Sequence, residues 1–150
     1  MARAEGEESV LYVATAVVGG DRELERRVRL HRERRPAGWE TLELAGGDLD
    51  EVLEVAERWR AVLLDSLTLW VSARMPQEEG MLEDVDRFLE GARKLQPPLI
   101  LVSDEVGLGV LPESEAGRRF RDTLGLVNQR AAAAAEEVHL CVAGLGVRIK

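Results

Sequence analysis

One cysteine, Cys141, is present in 150 residues, so no internal disulfide and no cysteine metal cluster can form. Histidine is almost as scarce, and His31 and His139 complete no zinc motif. No apolar stretch is long enough to cross a bilayer and no signal-peptide pattern opens the chain, so the cytoplasm is the expected compartment. Positive charge is in the minority, with a net charge of −8. Without a dominant basic surface the chain is not expected to bind long nucleic acid non-specifically. Internal repeats, low-complexity tails and linkers are also missing, and the alanine run at 131–135 is simply strong helix former. Neither GxxxxGK[ST] nor GxGxxG is completed, so Gly107 and Gly109 read as turn glycines, although their loop could approach phosphates.

What is present describes one domain, 1–150, with 45% hydrophobic and 32% charged residues and enough length to bury a core. Short apolar runs at 10–15, 61–65, 99–103 and 138–143 predict strands. They alternate with helical spacing from about Asp21 onward, and then over 48–60, 67–73, 79–95 and 115–136. Continuous apolar strands alternating with helices predict an α/β protein with a mostly parallel sheet. Ligands in such sheets sit at the carboxyl ends of the strands, where Thr15, Asp65, Ser103-Asp104-Glu105 and Gly144 fall. Val62-Leu63-Leu64-Asp65 has the form of a Walker B strand, whose acid helps hold nucleotide-bound magnesium. An acid in that place more often caps the next turn. His139 and Cys141, both in a strand, read as core or edge residues.

From residue 22 to 35 there are seven arginines against three glutamates, around His31 and closed by Pro36 and Trp39. A cationic island on an acidic chain suggests a site for a small polyanion such as a nucleotide phosphate. On a shared helix, Arg27 and His31 would stand four residues apart on one face. Nearby positive charge disfavours imidazolium and keeps the ring nucleophilic, as attack on phosphorus requires. A solvated basic helix face with an idle histidine fits this segment equally well.

Taken together, these residues resemble the bifunctional adenosylcobinamide kinase / adenosylcobinamide-phosphate guanylyltransferase family (CobU type) of cobalamin biosynthesis. The resemblance runs from Val10 to Lys150 and rests on collinear segments. These are 11–15 (LYVAT), 27–32 (RVRLHR) with Arg35-Pro36, 39–43 (WETLE), 63–70 (LLDSLTLW), 102–113 (VSDEVGLGVLPE), 119–122 (RFRD) and 127–130 (VNQR). It implies a P-loop NTPase-like parallel sheet flanked by helices. It also implies two reactions: phosphorylation of adenosylcobinamide, then GMP transfer from GTP to the adenosylcobinamide phosphate through a guanylylated histidine. His31 matches that histidine. Arg32, Glu33, Arg34 and Arg35 match the nucleotide-contacting segment after it, and Thr15, Ala16 and Val17 match another. Glu43 and Asp65 match acidic positions near the nucleotide; base recognition is favoured for Glu43 and a magnesium-side role for Asp65. GTP, ATP and Mg²⁺ are the implied small molecules, and a homotrimer the implied assembly.

The family also begins with a strand and a GGxxSGKS-type phosphate loop, and these 150 residues contain neither. Met1–Glu8 reads as the tail of the helix that follows such a loop. A start codon placed too late is the favoured explanation, because the other site residues show no decay; a real truncation is the alternative. With it comes a second functional reading, a non-catalytic remnant that binds corrinoid or partner subunits. A sheet short of one strand is expected to be poorly stable or to aggregate; a monodisperse sample with a sharp cooperative melt contradicts that.

Overall fold

The computed structural model describes residues 9–20 and 22–150. The expectation for Met1–Glu8, and the helix entry at Asp21, lie outside the described residues. Four strands, β1 (Val10–Ala14), β2 (Trp39–Glu43), β3 (Ala61–Asp65) and β4 (Leu99–Val102), form a parallel sheet in the order β2-β1-β3-β4. Between and after them run α1 (Arg22–Glu33), α2 (Asp50–Ala56), α3 (Leu67–Arg74), α4 (Met81–Ala92) and α5 (Glu115–Ala134), with a 3₁₀ turn at Met75–Gln77. The expected strand–helix alternation is present. β2 was legible only as a motif, because its sequence Trp-Glu-Thr-Leu-Glu is half exposed rather than a continuous apolar run.

The two faces of the sheet differ because side chains alternate along each strand. Leu11, Val13, Val62 and Leu64, all at most 4% exposed, join Val52, Trp70, Phe88 and Leu124 in a core against α2 to α5. The opposite face carries Tyr12, Leu63 and Asp65, and the half-exposed Ile100 and Val102 of β4. Register aligns Ala14 with both Glu43 and Asp65, which brings the carboxyl ends of three strands level. Among the described residues the outer edge of β4 pairs with nothing.

The last apolar run departs from expectation. β5 (His139–Val142) does not extend the parallel sheet; it pairs antiparallel with β6 (Leu145–Arg148) in a separate, exposed hairpin. Positive φ at Ala143 (53°) and Gly144 (78°) makes the tight turn between them. Gly144 is thus a hairpin-turn residue, not one at the ligand end of the sheet. The hairpin is tied to α5 by Lys150, whose Nζ donates to the carbonyls of Ala132, Ala133 and Ala135 at 2.7–3.0 Å. Those are the carbonyls that the end of a helix leaves unpaired. His139 and Cys141 are edge residues, both exposed. No described helix is long and apolar enough to cross a membrane.

Candidate functional site

α1 forms where the arginine cluster predicted a charged helix. Glu23 and Glu25 occupy its first turn and His31 and Arg32 its last, the polarity that suits the helix dipole. Exposed i,i+4 pairs, Arg27–Glu23 and Arg29–Glu33, lace its surface but contribute little energy each. Pro36 cannot continue the helix, and the chain turns through Arg35 N–H to Arg32 C=O into β2.

A cavity of about 500 Å³ opens between this helix and the ends of β1 and β2. Val28, Arg29 and Arg32 line it from α1, Ala16 and Val18 from the loop after β1, and Glu43 from the end of β2. Spacing of i, i+3, i+4 and i+7 from Glu25 places the helical contributors on one stripe. Of the expected nucleotide-binding residues, the structure brings Ala16, Arg32 and Glu43 together here. Arg32 and Glu43 are paired with each other, so a ligand must enter by exchanging that contact. His31 is exposed and stands about 100° round the helix from Arg32, outside the cavity lining. Val17, Glu33 and Arg34 are exposed and line no part of it.

Thr15 takes another part. It is fully buried, and its hydroxyl donates to Ser66 C=O and accepts from Ser66 N–H, both at 2.7 Å. These two hydrogen bonds clamp the end of β1 to the start of α3, so the buried Thr15 hydroxyl has no donor left for a ligand. Ser66 also caps α3, its Oγ accepting from Leu69 N–H at 3.2 Å. Asp65 is therefore not the cap that its place at a strand end suggested. Instead Asp65 Oδ2 accepts from the Tyr12 hydroxyl at 2.5 Å, and the Arg35 guanidinium lies over the Tyr12 ring with Cζ 3.5 Å from its centroid. Arg35 Nη1 donates to Thr41 Oγ1 at 2.6 Å, while its Nε is buried with no partner. Thr41 thus holds one side of the guanidinium, and the buried Nε–H is a donor that no protein group satisfies.

Tyr12 is the residue that sequence reasoning missed. It lies within an apolar strand, and nothing in a strand's alternation says that a buried phenol needs a partner at the next strand's carboxylate. Burial, then the hydrogen bond and charge of Asp65, push its pKa up to about 12, against the opposing pull of Arg35. As the chain's one tyrosine it can be followed directly by tyrosinate absorbance. The expected midpoint is near 12 rather than 10 while the fold persists. A raised folded pKa means the contribution to stability is complete below pH 10 and is lost as pH rises from there toward 12, since the unfolded chain gives up its proton first. A midpoint near 10 in folded protein contradicts the burial of Tyr12 together with its bond to Asp65.

No group of three or more His, Cys, Asp or Glu suited to a metal occurs among the described residues. Asp65, with Oδ1 unpartnered, offers one carboxylate oxygen. That suits a magnesium ion held chiefly by nucleotide phosphates and water, not one caged by protein.

The sequence matches the family described as "Cobinamide kinase / cobinamide phosphate guanyltransferase" over residues 1–149. It is 40% identical over 144 residues to "Bifunctional adenosylcobalamin biosynthesis protein CobP" of Pseudomonas aeruginosa, covering 95% of this chain and 83% of that protein. It is 34% identical to each of the proteins named "Bifunctional adenosylcobalamin biosynthesis protein CobU" from Escherichia coli and Salmonella typhimurium, covering 94% of this chain and 86% of each.

Proposed function

Because the chain belongs to the cobinamide kinase / cobinamide phosphate guanyltransferase family, we propose that it is a nucleotide-dependent transferase of cobalamin biosynthesis. In this reading it phosphorylates adenosylcobinamide with ATP or GTP and then transfers GMP from GTP to the new phosphate. The single observation that carries the nucleotide reading is the cavity between α1 and the ends of β1 and β2, with Arg29 and Arg32 on its wall. Arg35 and Asp65 on the adjoining sheet face add a phosphate contact and a magnesium-side carboxylate.

His31 carries the guanylyl group. A ring nitrogen of the neutral imidazole attacks the α-phosphorus of GTP, the N–P bond forms, and the α–β P–O bond breaks to release pyrophosphate. The phosphate oxygen of the corrinoid then attacks the same phosphorus, and the N–P bond breaks to return the histidine. Splitting the transfer gives two displacements of modest difficulty in place of one. Arg32, Arg34 and Arg35 offset charge that develops on the phosphate oxygens. Magnesium, when bound, neutralises phosphate charge beside Asp65. Glu43 accepts from the N1–H and N2–H₂ donors of guanine once Arg32 turns to phosphate. Thr15 acts by holding the loop that presents Ala16 and Val17. The family's homotrimer is the expected assembly, read by light scattering.

The test is direct. Protein expressed with any in-frame sequence upstream of Met1 is given adenosylcobinamide, GTP, ATP and Mg²⁺, and products are identified by mass. Adenosylcobinamide phosphate and its GDP conjugate are expected; absence of both overturns the reading. Arg35→Ala should weaken GTP binding by about 1.5–3 kcal/mol, roughly ten- to a hundredfold in Kd by calorimetry. Equal affinities would mean that the cluster is only a solvated face.

A further inference from the structure

We propose that Tyr12 is a positioning residue that keeps the Asp65 carboxylate and the Arg35 guanidinium from pairing with each other, so that both stay available to a bound polyphosphate and its divalent cation. The proposal rests on the nucleotide reading above and deepens it.

The arrangement follows from strand order. β1 lies between β2 and β3, and register puts Tyr12 opposite Thr41 on one side and Leu63 on the other. Arg35 is held on the β2 side by Thr41, and Asp65 ends β3. Tyr12 touches both, its ring face under the cation and its hydroxyl on the anion. Yet no ion pair joins Arg35 to Asp65 among the described residues. Left to themselves, a guanidinium and a carboxylate at such a site would form a charge-assisted, often bidentate pair, stronger than either group's bond to a neutral partner. Such a pair would neutralise the two charges that a metal–triphosphate complex needs. The phenol prevents it by giving each charge a neutral partner: a π-face for the cation and a single O–H donor for the anion. The phenol uses one oxygen of Asp65, and Oδ1 stays free. The stacked Arg35 keeps its buried Nε–H unpartnered.

Tyr12→Phe keeps the platform and removes the donor, which frees Asp65 to turn onto Arg35. Measured in metal-free buffer on protein carrying any in-frame sequence upstream of Met1, its Kd for GTP should rise about tenfold, the loss of one charge-assisted contact. Adding Asp65→Asn to that variant should restore the wild-type Kd, because a neutral amide does not trap Arg35. A packing defect would not be rescued in this way. The crystal structure of Tyr12→Phe protein should show the new Arg35–Asp65 ion pair. Unchanged affinity in Tyr12→Phe, or a loss that Asp65→Asn does not repair, overturns the proposal. If wild type binds no GTP, the functional reading fails and the variant's structure alone decides: an Arg35–Asp65 pair supports the separating role of Tyr12, and its absence ends it.

Discussion

His31→Ala protein is expected to lose GMP transfer to the uncatalysed background while still phosphorylating adenosylcobinamide at a rate near wild type. The split follows from chemistry, since a kinase step passes the γ-phosphoryl group directly from nucleotide to hydroxyl and needs no histidyl intermediate. Removing a covalent nucleophile removes the whole two-step route, an effect that can reach on the order of 10⁶ in rate. The structure makes the variant clean. His31 is exposed on the last turn of α1 and has no hydrogen-bond partner among the described residues. Its truncation should therefore change stability by no more than about 0.5 kcal/mol. Parallel loss of both activities would point to a structural histidine instead.

The largest effect on stability is expected at Trp70. Its side chain is fully buried in the core, and its indole Nε1–H donates to Gly47 C=O at 2.9 Å. Gly47 follows Glu43 in the loop after β2, and Trp70 lies on α3, which begins just after Asp65. One side chain thus ties together the segments that follow two of the site's acids. Trp70→Ala should cost about 3–5 kcal/mol. For a chain of this length that lowers Tm by roughly 10–15 °C. Trp70→Phe, which fills most of the volume but orphans the Gly47 carbonyl, should cost about 1–3 kcal/mol. Calorimetric melts of the two variants separate these contributions. Equal and small losses would mean that the indole is not a structural tie.

The elements were most legible where an apolar run is unbroken, as in Ala61-Val62-Leu63-Leu64-Asp65, whose predicted bounds coincide with β3. They were least legible where exposed polar residues fall on both faces of a strand. Glu40, Thr41 and Glu43 of β2 are exposed, so the run that periodicity looks for is interrupted. The apolar 138–143 run misled for the opposite reason: short buried strands and exposed hairpin strands share composition, and only the Ala143-Gly144 turn signalled a hairpin. Within the site, residue types announced cation and carboxylate, but not how they are arranged. Arg32 proved to be paired with Glu43, Thr15 to be used up on Ser66, and Arg35 and Asp65 to meet through Tyr12. Such cross-strand relations depend on register, and register appears only once the sheet is assembled.

If His31 carries the guanylyl group, the chemistry of one adduct reveals it. Protein expressed with any in-frame sequence upstream of Met1 is incubated with Mg²⁺ and GTP bearing radioactive α-phosphate, denatured, and treated in parallel with alkali and acid. Label should survive alkali, be lost in acid as phosphoramidates are, map to the peptide containing His31, and be absent from His31→Ala and His31→Asn proteins. Label that persists in the His31 variants, or that resists acid as a serine ester does, would contradict it and turn attention to His139.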